Sequence, residues 1–460
     1  MQKLSTTQQL RNNVLENDLI SIAAMIKAKE LSPKELIKET ILNIEKTNPQ
    51  INAYITILEE DMLKQAYAAE EEIMKGSYRG LLHGIPVGIK DLIFTKGVRT
   101  TMGSRLFKDF VPDRNADAVN RLIDAGAIIT GKLNTHELAF GTTGDQSYFG
   151  AVKNPYDHEK ITGGSSSGSA AAVAAHMCLA AIGTDTGGSI RIPASFCNVV
   201  GMKPTYGRVS KEGVQPLAPS LDHVGPITKN VKDNMLIFKA LLGEDLNQPF
   251  EQLFAGLDGN LKGTRIGLPK GFFVESAENE IRGKIVQTAA AFEKLGAEVT
   301  EVKMNHMEDL RTAHRIVLVY EAYQVYKSRL DEMEEGEVKE RLESGRNINQ
   351  QEYRQAKEMQ AKGKLIFQEA LKQVDTLLTP VTPITQKDLF AREITCDNKK
   401  VHIFSVLNKL TGITDLTGSP SLSVPCGMTR TGLPIGFQLI GRDNDEETLY
   451  RVGYAFEQTI

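Results

Sequence analysis

Two serines of the sequence each follow a pair of glycines: Ser165 in TGGSSSG and Ser189 in DTGGSI. Glycine permits backbone dihedrals that other residues avoid, so each pair allows a tight turn. A turn of this kind can direct the N–H groups of Thr186, Gly187, Gly188 and Ser189 at one point. These donors would stabilise the oxyanion formed when Ser189 attacks a carbonyl, and losing one typically costs about 3–4 kcal/mol. An ordinary glycine turn with a capping serine is the alternative.

A serine nucleophile needs a base, and the sequence offers a lysine for that role. In HGIPVGIKDLI, Lys90 ends an apolar segment and has Ile89, Leu92 and Ile93 as neighbours. Burial lowers the pKa of a lysine because it disfavours the charged form, and a neutral amine is a usable base near pH 7. The alternative is a surface lysine paired with Asp91. None of the histidines lies in a recognisable catalytic motif.

A hydroxyl that donates to one group and accepts from another can connect this lysine to a distant nucleophile. We expect Ser165 to supply that hydroxyl, from a loop beside the alanine-rich helix at residues 170–175. The alternative is that the serines of GGSSSGS only cap this helix. The hypothesis is therefore a proton path from Ser189 through Ser165 to Lys90.

Two other motifs are nearly matched. Residues 164–168 satisfy G-x-S-x-G, the nucleophile elbow of α/β-hydrolases, but the elbow needs a buried strand directly before it. The preceding residues, NPYDHEKIT, are polar. Residues 126–133, GAIITGKL, fall one residue short of a P-loop, and Leu133 stands where a hydroxyl must hold magnesium. A strand ending in a turn is the better interpretation of that segment.

The elements that carry the candidate residues follow from the hydrophobic pattern. Residues 17–75 are predicted to be helical, with a capping box at Ser32-Pro33-Lys34-Glu35. From residue 80 to residue 230, short apolar segments alternate with helix-like segments and glycine-rich turns. This alternation predicts a catalytic core at 80–230 that is built on a sheet flanked by helices.

The second half of the sequence predicts further strands and a helical insertion. Residues 264–268 and 297–303 resemble strands around a helix, and the charged residues 305–372 predict helices that shape the pocket. Strand-like segments return near the C-terminus, and we expect them to rejoin the earlier sheet. The prediction is one domain over residues 1–460.

Composition and charge exclude several classes of protein. The 460 residues carry a net charge of −4 without a dense basic run, so no direct nucleic-acid partner is expected. The N-terminal MQKLSTTQQLRNN lacks the apolar core of a signal peptide, and the apolar run at 19–26 is too short to span a bilayer. We therefore expect a cytoplasmic protein with no membrane partner. Four widely spaced cysteines predict neither a zinc site nor a disulfide framework: Cys178, Cys197, Cys396 and Cys426.

Several segments together, namely HGIPVGIKDLI, NTHELAFGTTG, GGSSSGSAAAVAA, GTDTGGSIRIPASFCNVVGMKPTYGRVS, SPSLSVPCG and LPIGFQLIG, closely resemble the amidase signature family. The resemblance spans roughly residues 20–458. It implies the α/β amidase signature fold, in which a large mixed β-sheet is sandwiched between helices. It also implies hydrolysis of a small amide through an acyl-enzyme, without a metal or an organic cofactor.

The resemblance implies a Ser–cisSer–Lys triad. Ser189 matches the nucleophile, Ser165 matches the bridging serine after a cis peptide bond, and Lys90 matches the base. Neutral Lys90 would draw a proton through Ser165 while Ser189 attacks the amide, and the leaving nitrogen would depart as ammonia or an amine. Asp185 and Arg191 are expected to brace the loop. The implied oxyanion hole consists of the backbone N–H groups of Thr186, Gly187, Gly188 and Ser189.

Three roles remain open within this family. The first is a stand-alone amidase, and the alternative is the glutaminase subunit of an aspartyl/glutamyl-tRNA amidotransferase, which resembles this chain in VGMKPTYGRVS and SLDHVGPIT. A scaffold without catalysis is disfavoured, because the triad residues are retained. Partner subunits are expected only under the alternative, and a homo-oligomer stays open.

We favour the stand-alone amidase for three reasons. NTHELAFGTTG and the residues after it resemble general bacterial amidases, and the sequence ends soon after FEQT. Glutamine-using members carry an acid for the substrate's α-amino group, and the corresponding position here is Asn408. Candidates for lining the pocket are Tyr320, Glu321 and Tyr323.

Overall fold

A computed structural model describes residues 14–396 and 399–459. The polar N-terminal segment, on which the absence of a signal peptide was predicted, lies outside the described residues. The strands are β1 (Tyr54–Ile57), β2 (Pro86–Lys90), β3 (Ile128–Leu133), β4 (Lys153–Asn154), β5 (Asp157–Ile161), β6 (Ala180–Asp185), β7 (Val200–Lys203), β8 (His223–Thr228), β9 (Arg265–Lys270), β10 (Glu298–Lys303), β11 (Thr376–Pro380), β12 (Glu393–Cys396), β13 (Lys399–His402), β14 (Ser421–Met428) and β15 (Pro434–Ile440). The helices are α1 (Leu19–Lys27), α2 (Pro33–Ile51), α3 (Glu59–Met74), α4 (Asp117–Asp124), α5 (Ser167–Ala174), α6 (Arg191–Phe196), α7 (Val231–Leu242), α8 (Phe250–Leu253), α9 (Asn279–Lys294), α10 (Met307–Tyr326), α11 (Glu337–Ser344), α12 (Gln350–Gln373), α13 (Ile403–Leu407), α14 (Gly412–Thr417) and α15 (Glu446–Glu457).

Eleven of the described strands form one mixed sheet in the order β1-β3-β2-β6-β8-β7-β14-β15-β11-β9-β10. Strands β3, β2 and β6 run parallel to one another, as do β11, β9 and β10. The strands between these two groups pair antiparallel. The pairing of β14 with β7 brings the C-terminal strands into the same sheet, as the sequence predicts.

Helices cover both faces of the sheet, which confirms the predicted α/β fold class. Successive residues of a strand point to opposite faces, and β6 shows this arrangement clearly. Ala180 and Ile182 belong to a core shared with α1, α7 and α15, whereas Ala181 belongs to a core shared with α2, α3 and α5. The central strands are consequently buried on both sides, and polar groups at their ends can be shielded from water.

The N-terminal segment is mainly helical, and α2 begins at the predicted capping box. Ser32 Oγ accepts a hydrogen bond from the Lys34 N–H at 3.0 Å, and the Glu35 carboxylate accepts from the Ser32 N–H at 3.1 Å. Strand β1 interrupts the segment that the sequence predicts to be helical. This four-residue strand pairs with β3 at the sheet edge, and its length leaves too little periodicity to distinguish it from a helix.

The predicted strands at 264–268 and 297–303 correspond to β9 and β10, and the charged segment at 305–372 forms α10, α11 and α12. Helix α10 packs against α12 and α14, which follows from the apolar side that it buries. Within the described residues, no helix combines the length and the apolar composition needed to cross a membrane. The single-domain organisation stays a prediction.

Candidate active site

Lys90 is the last residue of β2 and is fully buried. Its Nζ lies 2.7 Å from Ser165 Oγ and donates to Thr184 Oγ1 at 2.8 Å. Burial lowers the pKa of Lys90 to about 7, although the charges of Asp185 and Asp222 act in the opposite direction. The amine can therefore take up and return a proton near neutrality.

The alternative of a surface Lys90 paired with Asp91 does not fit this arrangement. The Asp91 carboxylate instead accepts hydrogen bonds from the N–H and the hydroxyl of Thr101. Burial raises the pKa of Asp91 to about 6, while the charge of the buried Lys132 and the hydrogen bonds from Thr101 act in the opposite direction. Neighbouring residues at the end of β2 thus belong to two separate polar clusters.

Ser165 follows a cis peptide bond with Gly164 and is fully buried. Its carbonyl oxygen accepts from the His136 N–H at 3.1 Å and from Thr135 Oγ1 at 2.9 Å. Both of these residues lie in the loop after β3, the strand beside β2. The loop therefore fixes the Ser165 main chain while leaving the hydroxyl directed to Lys90.

Ser166 connects the two glycine–serine turns. Its N–H donates to the Ser189 carbonyl oxygen at 3.1 Å, and its hydroxyl donates to the Thr184 carbonyl oxygen at 3.1 Å. Ser166 occupies the N-cap position of α5 but makes no side-chain capping bond to that helix. The alternative that these serines only cap the helix is therefore wrong for Ser166.

Ser189 lies between β6 and α6 and is 5% exposed. Because Ser166 binds its carbonyl oxygen, its main chain is adjacent to the turn that carries Ser165. No described residue forms a hydrogen bond with Ser189 Oγ. The structure thus joins Lys90 to Ser165 directly, and Ser189 is joined to this turn through the main chain of the next residue, Ser166.

Asp185 organises the loop between β6 and α6. Its carboxylate accepts from the Gly188 N–H at 2.5 Å and from the Ile190 N–H at 3.1 Å. The Gly188 N–H is thereby directed to Asp185, so the expectation that it serves the oxyanion hole needs correction. No described residue accepts from the N–H groups of Thr186, Gly187 or Ser189.

Three side chains hold the loop from outside. Thr411 Oγ1 donates to the Gly187 carbonyl oxygen at 2.7 Å, and Thr186 Oγ1 donates to Asp222 Oδ1 at 2.7 Å. His314 Nε2 lies 3.0 Å from the Thr186 carbonyl oxygen, so this nitrogen carries the proton. Burial lowers the pKa of His314 to about 4, and the ring therefore supports the loop in its neutral form.

Arg191 is the fully buried connection between this loop and the rest of the sheet. Its guanidinium pairs with Asp185 at 3.0 Å and with Asp415 at 2.7 Å, and it donates to Gln438 Oε1 at 3.0 Å. Burial by itself would raise the pKa of Asp185, but the Arg191 charge holds it below its ordinary value. Asp185 and Arg191 thus both contact the loop, where the resemblance expects them.

Sequence reasoning missed Thr184, Asp222, His314 and Thr411. Thr184 carried a partial signal, because it directly precedes Asp185 in the signature, whereas the pairing of its strand with that of Lys90 is seen only in the structure. The other three reach the loop from distant parts of the chain, and no spacing indicates those contacts.

The predicted pocket residues Tyr320 and Glu321 have other contacts. Tyr320 stacks on Tyr353, with ring centroids 4.3 Å apart. The Glu321 carboxylate accepts from the Ser220 N–H at 2.9 Å and from the Tyr353 hydroxyl at 2.8 Å. Tyr323 packs closely against Gly345: a Cβ added to this glycine would lie only 2.4 Å from Tyr323 Cβ. These contacts hold α10 in place. They account for the positions of the three side chains without requiring that any of them line a pocket.

Two cavities of about 230 Å³ each lie near the loop; a loop residue lines the first, whereas the second is lined by His314 and Asn408, which neighbour Gly187. The first, which we call the Thr184 cavity, is mainly apolar and also touches Thr186. The second, which we call the α10 cavity, lies between α10 and the segment around Asn408. The Thr184 cavity is lined by Leu92, Ala139, Thr184, Thr186, Lys211, Val214, Gln215, Pro216, Leu217, Pro219, Asp222, His223 and Val224. The α10 cavity is lined by Arg311, Thr312, His314, Arg315, Leu318, Val319, Phe404, Ser405, Asn408, Lys409, Gly412 and Ile413.

The chain matches known proteins over nearly its whole length. The family model for Amidase matches residues 35–450. The chain is 39% identical over 466 residues to a glutamyl-tRNA(Gln) amidotransferase subunit from Geobacter metallireducens, covering 94% of this chain and 95% of that protein. A crystal structure of an amidase is similar at 33% identity and a TM-score of 0.89, covering 96% of this chain and 100% of the other. The native peptide amidase from Stenotrophomonas maltophilia is similar at 30% identity and a TM-score of 0.82, covering 96% and 97%.

Proposed function

The chain belongs to the amidase signature family, and on this premise we propose that it hydrolyses a carboxamide through Ser189, Ser165 and Lys90. The observation that carries the proposal is the state of Lys90. It is fully buried, its amine contacts the Ser165 hydroxyl at 2.7 Å, and its pKa is lowered to about 7. A lysine in that state is suited to general base catalysis and has no evident structural purpose as a cation.

In the proposed acylation step, Ser189 Oγ forms a bond to the amide carbon and its proton passes to Ser165. Ser165 in turn gives its own proton to the neutral Lys90 amine. The carbonyl oxygen becomes an oxyanion, and the proposed donors to it are the N–H groups of Thr186, Gly187 and Ser189. Collapse breaks the C–N bond, and the leaving nitrogen takes a proton back from Lys90 through Ser165.

Deacylation repeats the relay with water as the nucleophile. Water loses its proton to Ser165 and Lys90 as it attacks the acyl carbon, and Ser189 Oγ leaves with the returned proton. The products are a carboxylic acid and ammonia or an amine, and Lys90 ends neutral. The Ser165–Ser189 hydroxyl contact required by both steps is expected to tighten when substrate is bound, since catalytic hydrogen bonds are often long in free enzymes.

A second candidate role is the glutaminase subunit of a tRNA-dependent amidotransferase. The name of the Geobacter metallireducens relative favours it, because that relative is 39% identical over 94% of this chain. The similarity to this relative is stronger support than the sequence features on which the preference for a stand-alone enzyme is based. In this role the chain would act on glutamine and pass ammonia on within a complex with partner subunits.

One position argues for the stand-alone role. Asn408 lines the α10 cavity, and its Nδ2 would lie 3.6 Å from a Cβ placed on Gly187. An amide there carries no charge to pair with the α-ammonium group of glutamine. We therefore keep hydrolysis of a carboxamide as the proposal. An experiment decides whether the chain does this as a stand-alone enzyme or as a subunit of an amidotransferase.

The deciding experiment measures ammonia release from a panel of amides that includes glutamine, with the purified chain alone and the Ser189→Ala variant as control. Turnover of an amide by the chain alone, absent in the variant, supports the stand-alone amidase. Glutamine turnover only after addition of partner subunits and charged tRNA supports the amidotransferase role. No turnover in either setting contradicts the proposal.

We also propose that the chain works in the cytoplasm. Cys178, Cys197 and Cys426 are buried free thiols, which is usual for proteins of reducing compartments. Expression of a tagged chain followed by fractionation tests the location.

A further inference from the structure

The lining of the α10 cavity is cationic. Among the described residues that line it, Arg311, Arg315 and Lys409 carry positive charge and none carries a carboxylate. Such a lining attracts an anion, because its field is not cancelled by acids within the cavity. The Thr184 cavity differs, since it includes the buried Asp222 and a mainly apolar wall.

Arg315 is the cation of this set that lacks a partner. Arg311 pairs with Glu308 at 3.2 Å and donates to the Ser405 carbonyl oxygen at 2.9 Å. Lys409 lies 3.5 Å from the same Glu308. No described acid or carbonyl accepts a hydrogen bond from Arg315, so its guanidinium is free to bind an anion from solution.

Two residues that line the cavity, His314 and Asn408, separate it from Gly187 of the proposed oxyanion loop. Arg315 is exposed, whereas the preceding residue His314 is buried and bound to the Thr186 carbonyl oxygen. A Cβ on Gly187 would lie 3.1 Å from His314 and 3.6 Å from Asn408. A substrate whose reacting carbonyl lies at the loop would have to pass Asn408 to reach Arg315.

We propose that the α10 cavity takes the acyl part of the substrate, that this part ends in a carboxylate, and that Arg315 binds it. This inference rests on the proposed amide hydrolysis. A planar guanidinium can bind a carboxylate through two parallel hydrogen bonds. An additional ammonium group would find no acid among the lining residues and would be repelled by the unpaired Arg315. The substrate class is therefore the monoamides of dicarboxylic acids, without an α-amino group.

Three amides of similar size test this substrate class. Glutaramate carries the carboxylate, pentanamide replaces it by a methyl group, and glutamine adds an α-ammonium group to glutaramate. We expect kcat/KM for ammonia release to be highest for glutaramate. The Arg315→Met variant is expected to lower the ratio of kcat/KM for glutaramate to that for pentanamide by about ten-fold or more. Arg315→Lys should lower it less, because the charge remains.

A matched control is the Arg354→Met variant. Arg354 is an exposed arginine of α12 that lines neither cavity, so the same substitution there should leave the ratio unchanged. A binding measurement that does not require turnover accompanies the kinetics. Glutaramate is titrated into Ser189→Ala and into the double variant Ser189→Ala/Arg315→Met, and we expect about ten-fold weaker binding to the latter.

The outcomes separate this inference from the proposed function. If pentanamide is hydrolysed as well as glutaramate, or if Arg315→Met leaves the ratio and the binding unchanged, the inference is overturned while the amidase function stands. If no amide is hydrolysed but glutaramate binding depends on Arg315, the cavity assignment stands and the proposed function fails. A higher kcat/KM for glutamine than for glutaramate overturns the inference and favours the amidotransferase role.

Discussion

Burial at Lys90 acts against the charge that a lysine normally carries in water. Protein surrounds its amine on all sides, and the two groups it contacts, Ser165 and Thr184, are hydroxyls. Neither hydroxyl repays the loss of hydration that a full positive charge would suffer. The chain thus holds an amine that is uncharged in a large fraction of molecules near neutral pH, which is what the proposed relay requires.

This state of Lys90 predicts the pH dependence of the reaction. The base acts in its neutral form, and its protonated fraction falls as pH rises through about 7. We therefore expect kcat/KM for a neutral amide to rise about ten-fold per pH unit well below pH 7 and to level off above it. A pH–rate profile of ammonia release checks this. A profile that stays flat across neutrality, in a protein shown to remain folded, would point to another base.

Replacement of Lys90 itself tests its role. Lys90→Ala is expected to lower kcat/KM by about 10³-fold or more, because the proton of Ser189 then has no acceptor. Ammonia-release kinetics give the loss, and the melting temperature of the variant shows whether it is folded. Near-normal turnover by Lys90→Ala would remove the residue from the mechanism.

The nucleophile assignment is tested by Ser189→Ala. This change deletes one hydroxyl that no described residue hydrogen-bonds, so we expect the fold and its melting temperature to be preserved. Activity should fall by about 10³-fold or more, to the level that binding and oxyanion stabilisation alone provide. Acyl-enzyme trapping followed by mass spectrometry gives an independent readout, and a label on another residue would contradict the assignment.

At the scale of elements, the loop between β6 and α6 depends on close approach of its backbone to α14. Gly188 has a φ of +118°, and a Cβ there would lie 2.2 Å from Thr411 Oγ1. The same Thr411 hydroxyl binds the Gly187 carbonyl oxygen. A side chain at position 188 would therefore push apart the two segments whose contact positions the proposed oxyanion donors.

We expect Gly188→Ala to lower kcat by about 10²-fold or more, because a displacement of about 1 Å in the loop is enough to misalign the reacting groups. Gly432→Ala is the matched control. Gly432 also has a positive φ, of +83°, but nothing lies within 4 Å of a Cβ there. The control should lose stability without losing kcat. Equal loss of kcat in both variants would show that backbone strain, and not contact with Thr411, explains the effect.

The elements show where the sequence suffices for prediction and where it does not. Lys90 and Ser165 could each be singled out in advance, because an apolar strand ending in lysine and a glycine turn are local patterns, and the family resemblance implies their connection. The bond from His314 to Thr186 spans 128 positions and arises only when α10 packs on the loop. Likewise, the strand-like segments near the C-terminus predict that these strands rejoin the sheet. The order of the eleven strands, however, depends on tertiary packing, which no local sequence pattern contains.

At the scale of the whole molecule, the first and last described helices meet at the beginning of α7. The carboxylate of Asp233 in α7 accepts from the Leu19 N–H of α1 at 2.9 Å. The carboxylate of Glu457 in α15 accepts from the Val231 N–H at 2.9 Å. Asp233 is buried and Glu457 is half-buried, and burial raises the pKa of each to about 7.

These raised pKa values predict how stability varies with pH. The ordinary pKa of Asp233 is 3.8 and its folded value is about 7, so between these values the folded chain binds more protons than the unfolded chain. Its contribution is therefore fully present below about pH 4 and is lost as pH rises through about 7. The free energy of unfolding should fall with pH in this window, relative to Asp233→Asn, by up to about 1.4 kcal/mol per pH unit.

Denaturant unfolding at several pH values measures that difference. Asp113→Asn, at an exposed aspartate, serves as the control and should run parallel to the unaltered chain. If the stability difference between the unaltered chain and Asp233→Asn does not change with pH, Asp233 does not titrate in this range.

The meeting of α1 and α15 on one turn of α7 has a consequence for engineering. Leu19 and Glu457 each bind within three positions of the same helix start, so in a chain that lacks residues 1–17 a peptide linker could join Asp18 to Gln458 across this helix start. Such a circular permutant could begin at an exposed turn, for example near Gly259, where nothing lies within 4 Å of a Cβ. The order in which the ribosome makes the elements would change, while every contact of the sheet would be kept.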